Sequence, residues 1–293
     1  MLVARMNMDG RSTAGAESFG VVGTCRVHNP MRCLLENKQV ALAWREYNAF
    51  THGPQEAMQY LEYARGSVLV PDVFAPFIFR TEQSPETPES LLDAVGGMDF
   101  LIAEICSFSR LACGVYEFQQ NYFSENFIRK GGVDFLNWWR DVTQGNDTVQ
   151  ASADELIAKR GESLMPHEEE IIRSLRFEEQ SDDDFREAVR NLVCKAGRPV
   201  MLVSHFSFDE ADNAISAMRL RNRALVREVA EETGSGFFDP TPWLMERGRE
   251  AALKNGGRDL YHYSPEFDAV IADRMLEAIQ DWRAGTMTYS ATG

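Results

Sequence analysis

The chain has 293 residues, of which 44% are hydrophobic and 26% are charged, which is the composition of an ordinary globular protein. Thirty basic residues stand against 45 acidic ones, and the net charge of −15 disfavours a nucleic-acid or anionic-membrane partner. A chain of this length can bury enough apolar surface to fold without disulfides or a structural metal. These values leave a small-molecule substrate open.

The cysteines indicate a reducing compartment. Their number is odd, and neither a Cys-x-x-Cys pair nor a Cys/His spacing typical of a metal site is present. The first 19 residues lack the apolar core of a secretory signal, and no apolar stretch approaches the ~18 residues of a membrane span. We therefore predict a cytoplasmic protein without a metal site. The five cysteines are Cys25, Cys33, Cys106, Cys113 and Cys194.

Residues 1–17 are rich in small residues and predict a flexible arm. After them, short apolar runs typical of buried parallel strands recur along the chain. Helices are predicted between the later runs, and alternation of the two predicts a parallel sheet covered on both faces. We expect a three-layer α/β/α sandwich with about five strands. The predicted strands are 19–23, 40–44, 99–106, 199–205 and 236–239, and the predicted helices are 184–196, 211–233 and one that begins at Ser264.

Two of these helices carry clear patterns. In 211–233 the residues Ile215, Met218, Leu225 and Val229 share one face, which predicts burial of that face. Ser264 is followed by proline and glutamate, as at the start of a helix.

The stretch 107–184 contains no clear strand pattern, being aromatic at first and acidic later. We predict a mostly helical insertion within one α/β domain that covers residues 18–283, followed by a tail at 284–293.

Two short segments could carry chemistry. Gly23-Thr24-Cys25-Arg26 follows the first predicted strand directly, and Asp259-Leu260-Tyr261-His262 precedes the last helix. Open α/β sheets place their sites at the carboxyl ends of strands, so the thiol and the imidazole can meet there. We expect the sulfur of Cys25 within roughly 3.5–4 Å of one ring nitrogen of His262. Asp259 would hold the other nitrogen.

These segments resemble those of the SGNH/GDSL hydrolases. DLYHYSPEF is similar to the family's terminal block, in which the Asp and His of a catalytic triad precede the last helix, and VVGTCRV is similar to its first block. Cys25 stands at the position of the serine nucleophile, as in the GSCFA group and some capsule-polysaccharide acyltransferases. The family's Gly-x-Asn-Asp block is not recognisable here.

The resemblance implies an SGNH/flavodoxin-like fold and a Cys25-His262-Asp259 triad. Because the Asn block is missing, the donors that would bind the oxyanion or the substrate stay open. The candidates are Ser107, Gly53, Arg26 and His205, and Ser107 should share an oxyanion position with the backbone N–H of Cys25. An inward-facing Arg26 would also help to lower the pKa of the thiol.

A cysteine nucleophile changes the expected reaction, because its acyl-enzyme is a thioester that exchanges readily with other nucleophiles. We therefore expect an acyltransferase or thioesterase, whose co-substrate would be acyl-CoA or a carrier-bound thioester. A carrier protein is then a potential partner, and no bound cofactor is expected. The alternatives are an SGNH-type esterase or amidase acting on a carbohydrate or small ester, and a catalytically silent binding module. The oligomeric state stays open.

Overall fold

A computed structural model describes residues 18–36, 41–42, 50–79, 96–145, 149–207 and 214–286. Five strands form a parallel sheet in the order β2-β1-β3-β7-β8, which confirms the predicted α/β fold with a parallel sheet. The predicted arm lies outside the described residues, as does the tail beyond residue 286. The described strands are β1 (Ser18–Val22), β2 (Ala41–Leu42), β3 (Phe100–Ile105), β4 (Ser109–Cys113), β5 (Tyr116–Glu117), β6 (Leu175–Glu179), β7 (Val200–Ser204) and β8 (Gly236–Phe238).

The parallel sheet is buried on both faces. Along β3, Phe100 and Ile102 pack into one hydrophobic cluster, while Leu101 and Ala103 pack into the cluster on the opposite face. This alternation is what the pleat of a strand imposes, and it explains why the strand is apolar almost throughout. The strand order changes direction between β1 and β3, and open sheets of this topology bind ligands at such a point.

The helices surround the sheet. The longer ones are α1 (Cys25–Glu36), α2 (Pro54–Ala64), α3 (Val133–Gln144), α4 (Val149–Arg160), α5 (Pro166–Ser174), α6 (Asp182–Ala196), α7 (Ala214–Thr233), α8 (Thr241–Arg247) and α9 (Pro265–Arg283). The predicted helix ends are confirmed at two positions: α6 stops at Gly197, which adopts the left-handed conformation, and the Ser264 side chain accepts a hydrogen bond from the N–H of Phe267. Short turns of helix fill the rest, at Asp72–Phe74, Ala75–Ile78, Gln120–Phe123, Ser124–Ile128, Arg129–Gly131, Gly161–Ser163, Arg249–Ala252 and Lys254–Gly257.

The insertion at 107–184 is mostly helical, but it also contains a small antiparallel sheet that sequence analysis did not predict. The order of its strands is β5-β4-β6. β4 and β6 pair from Ser109 with Glu179 to Cys113 with Leu175. The aromatic side chains of the insertion, including Phe118 and Trp138, join the hydrophobic cluster on one face of the parallel sheet.

The prediction for helix α7 is wrong in its first turns. Leu225 and Val229 are buried as expected, whereas Ile215 and Met218 are about two-fifths exposed. The reason is that the beginning of α7 borders a cavity, while its later turns pack onto the sheet.

Candidate active site

The turn between β1 and α1 places Cys25 at the carboxyl edge of the sheet, as the first residue of α1. Gly23 makes this turn with φ of +142°, a conformation that residues with a side chain rarely adopt. A Cβ atom at this position would also lie 2.6 Å from the Cβ of Glu104 in β3. Glycine is therefore required for both the backbone angle and the close approach of the two strands.

The side chain of Glu104 in β3 fixes this turn by hydrogen bonds. Its carboxylate is 1% exposed and accepts hydrogen bonds from the N–H of Thr24 at 2.8 Å, from the Thr24 hydroxyl at 2.6 Å and from Nε of Arg26 at 2.6 Å. The Arg26 guanidinium also donates to the carbonyl of Tyr261 at 3.3 Å. One buried carboxylate thus ties the nucleophile turn to β3, and Arg26 ties it to the loop of His262.

The charges around Cys25 do not produce the acidic thiol that was expected. Arg26 does turn inward, but its charge is paired with Glu104. Burial raises the pKa of the Cys25 thiol, and this outweighs the opposite effect of Arg26. Arg26 therefore acts on the thiol pKa in the expected direction, but burial outweighs it and the pKa of Cys25 lies above its usual value. A base has to remove the proton during attack.

A short antiparallel bridge between Leu253 and Tyr263 shapes the loop that carries His262. Within it, Nδ1 of His262 lies 2.8 Å and 2.9 Å from the two carboxylate oxygens of Asp259, and the N–H of Tyr261 donates to Asp259 at 3.0 Å. Burial alone would raise the pKa of Asp259, but these hydrogen bonds hold it below its usual value. The carboxylate therefore fixes the imidazole with Nδ1 protonated and leaves Nε2 available as a base.

Cys25 and His262 border one cavity of about 700 Å³. Among the described residues, no hydrogen bond joins the thiol to the imidazole, so the expected distance of roughly 3.5–4 Å stays a prediction. The backbone N–H of Cys25 lies at the start of α1, where helical N–H groups lack partners within the helix. A helix N-terminus of this kind can stabilise a developing negative charge.

The structure places the other predicted site residues around this cavity, with one exception. Arg26, Ser107 and His205 line it. The Ser107 hydroxyl accepts a hydrogen bond from the N–H of Ser109 at 3.0 Å, and Nδ1 of His205 lies 2.7 Å from the Phe206 carbonyl. Gly53 is the N-cap of α2 and is not among the lining residues.

Sequence analysis missed several residues of the cavity. His52, Gln119 and Arg219 all line it. Glu104 does not line it but accepts a hydrogen bond from the lining residue Arg26. Glu104 could have been noticed as the one acid inside the apolar run of β3, because a buried carboxylate requires partners. Arg219 could have been noticed four residues after Ile215 on the apolar face of α7. His52 and Gln119 lie in loops and show no comparable pattern.

The imidazole of His52 contacts Nε2 of Gln119 at 3.5 Å. Burial, together with the charge on Arg26, lowers the pKa of His52 to about 4. Burial also lowers the pKa of His205. Both rings are therefore neutral at physiological pH, and His262 is the imidazole of the cavity that a carboxylate orients.

Residues 18–278 match the model of the TviD N-terminal domain family. The chain belongs to this family. A curated relative, the Vi polysaccharide biosynthesis protein TviD of Salmonella typhi, is 24% identical over an alignment 274 residues long that covers 89% of this chain and 31% of the relative. The chain therefore spans about a third of the length of that protein.

Solved structures give a more distant likeness. Axe2, an acetylxylan esterase from Geobacillus stearothermophilus, is 14% identical with a TM-score of 0.41, covering 91% of this chain and 95% of Axe2. A putative SGNH hydrolase from Slackia heliotrinireducens is 11% identical with a TM-score of 0.40, covering 90% of this chain and all of the other. Within the described residues, no helix is both long and apolar enough to cross a bilayer.

Proposed function

We propose that this chain is an acyl-transfer enzyme in which Cys25 is the nucleophile, His262 the general base and acid, and Asp259 the group that orients the imidazole. The observation that carries the proposal is the cavity that Cys25 and His262 both line, with Asp259 holding the imidazole of His262. A thiol at a helix start and an imidazole fixed by a carboxylate are the parts that nucleophilic catalysis needs.

The proposed reaction has two halves. In the first, His262 takes the thiol proton while the sulfur of Cys25 bonds to the acyl carbon of a thioester donor. The donor's own bond between sulfur and the acyl carbon then breaks, and the departing thiolate receives the proton from His262. In the second, His262 takes the proton of an acceptor hydroxyl, the new ester bond forms, and the bond between sulfur and the acyl carbon breaks. Sulfur recovers its proton from His262. The raised pKa of Cys25 makes this proton transfer essential to the first half.

The acceptor is proposed by class. The relative named for Vi polysaccharide biosynthesis supports a carbohydrate hydroxyl, and an acyl-CoA or carrier-bound thioester is the donor that suits a thioester intermediate. Hydrolysis is the second candidate, because the His262 side chain is 45% exposed and water can therefore reach the base. In that case, water replaces the sugar hydroxyl in the second half.

The test incubates the protein with acetyl-CoA and follows both free thiol and acetate, with and without a panel of oligosaccharides. Transfer predicts that acetate falls as acetylated sugar appears, and hydrolysis predicts acetate in every case. Cys25→Ala and His262→Ala should both abolish thiol release. Cys106→Ala is the matched control, because it removes a second thiol of the same cavity. Thiol release that survives in Cys25→Ala would end the proposal that Cys25 is the nucleophile, and a wild-type protein that releases no thiol would leave the binding module.

A further inference from the structure

Arg219 is a buried arginine in the wall of the cavity. It is 2% exposed, and its guanidinium lies 5.0 Å from the centre of the Phe206 ring and 5.5 Å from that of Tyr261. Its recorded hydrogen bond within the described part of the chain runs from Nη2 to the carbonyl of Leu260 at 3.0 Å. A guanidinium has five N–H donors, so most of its capacity is not used by that bond.

No acidic side chain among the described residues lies within 4.0 Å of this guanidinium. Its neighbours on α7 differ, since Arg221 pairs with Asp182 and Arg223 pairs with Asp239. Burial and the charge on Arg26 lower the pKa of Arg219 to about 10, which keeps it charged at neutral pH. A buried cation without a counter-ion is unfavourable unless something else supplies the negative charge.

The surroundings of Arg219 favour an anion further. Arg26 also lies near the Phe206 ring, 5.8 Å from its centre, and its positive charge is close enough to lower the pKa of Arg219. Among the residues that the structure describes, the lining contains both arginines and one acidic residue, Glu125, although the whole chain carries a net charge of −15. Glu104 neutralises Arg26 but does not reach Arg219.

We propose that Arg219 binds a carboxylate or phosphate group of the substrate that occupies this cavity. This inference rests on the proposed function, and it specifies that one substrate of the proposed reaction is an anion. The planar fork of arginine suits two-point binding of either group. The anion could belong to the acyl donor, as a phosphate, or to the acceptor, as a sugar carboxylate. A purely structural role would instead limit Arg219 to holding the Leu260 carbonyl.

Alkylation of the cavity thiols tests this without requiring acyl transfer. Iodoacetamide is neutral, and peptide mass spectrometry separates Cys25 and Cys106 in the cavity from the exposed Cys194 as internal reference. Inorganic phosphate, glucuronate and glucose are added at constant ionic strength. We expect saturable protection of the cavity thiols by phosphate or glucuronate, with Cys194 unaffected and glucose inactive. Protection by phosphate points to the donor, and protection by glucuronate points to the acceptor.

Arg219→Gln should raise the anion concentration for half-protection roughly tenfold or more, because a charge-assisted pair is lost. Arg219→Lys, which keeps the charge but loses the fork, should fall between this variant and the wild type. Arg227→Gln on the same helix is the control, since that guanidinium lies over Phe237 and does not line the cavity. Wild-type thiols that neither anion protects would overturn the inference, even if Arg219→Gln does not fold. Equal shifts in Arg219→Gln and Arg227→Gln would overturn it too. Protection without acyl transfer would support the anion site while counting against the proposed function.

Discussion

Glu104→Gln is the substitution that most directly probes how the nucleophile is held. The change keeps the size of the side chain but removes its charge. It leaves Arg26 as a buried cation. It also sets an amide NH₂ group against at least one of the three donors whose hydrogen bonds Glu104 now accepts. The turn that carries Cys25 would lose its anchor to β3.

The expected loss of folding free energy follows from the burial of the ion pair, since the side chain of Glu104 is 1% exposed and that of Arg26 is 7% exposed. Removing one partner of a buried ion pair costs about 3–5 kcal/mol, because the other charge is left uncompensated. In a chain of 293 residues that corresponds to a drop of roughly 5–8 °C in melting temperature. The rate of Cys25 acylation by acetyl-CoA, measured in a single turnover by intact mass below the melting range, should fall by more than tenfold because the thiol is misplaced.

Glu117→Gln is the matched control. Glu117 also forms an ion pair of 2.6 Å, with Arg110, but it does not line the large cavity and its partner is one-third exposed. The control should cost less stability, since solvent can compensate the remaining charge, and it should leave the acylation rate near that of the wild type. The reasoning is refuted if the free energy of unfolding of Glu104→Gln lies within about 1 kcal/mol of the wild-type value and Cys25 is acylated at the same rate.

Three further predictions concern the same region. Gly23→Ala should lose about 1–3 kcal/mol in urea unfolding, because its Cβ would meet Glu104 at 2.6 Å in a strained conformation. Gly96→Ala, which has open space around it, should change little, and equal losses in both would contradict the argument. Asp259→Asn should keep the fold by circular dichroism yet slow acylation roughly a hundredfold or more, since the amide no longer fixes the imidazole tautomer; an unchanged rate would exclude an orienting role. His52 has its pKa lowered from 6.5 to about 4, so the unfolded chain takes up its proton first and stability should decline as pH falls between these values. Urea unfolding at several pH values should show a flatter decline for His52→Gln, and identical slopes would show that the ring is not buried in its neutral form.

The parallel sheet could be predicted from the sequence because its signals are local. Strand β7 is a single apolar run, and the ends of α6 and α9 are marked by Gly197 and Ser264, whose conformation and side chain stop or start a helix by themselves. The antiparallel sheet could not be predicted in this way. β4 and β6 are separated by 61 residues along the chain, and β6 alternates weakly because most of its residues are partly or fully exposed.

Sequence analysis predicted the site residues that occur in motifs, and it missed those whose contacts are distant in the sequence. Cys25, Asp259 and His262 stand in short segments whose chemistry is visible in the sequence. Glu104 and Arg219 lie 78 and 193 residues after Arg26 in the sequence. They gain their roles only when folding brings β3 and α7 to the cavity. Pairing of a charge is a property of three-dimensional neighbours, so neither the partner of Arg26 nor the absence of an acidic partner for Arg219 among the described residues could be read from residue order.

The central claim is that Cys25 carries the acyl group. The most direct measurement is a brief incubation with acetyl-CoA, an acid quench and peptide mass mapping, followed by treatment with neutral hydroxylamine, which cleaves thioesters. The account predicts one acetyl group on the peptide of Cys25 that hydroxylamine removes, retained in Cys106→Ala and absent in Cys25→Ala and His262→Ala. An acetyl group on another residue, or turnover of acetyl-CoA without any adduct in Asp259→Asn and wild type alike, would contradict it.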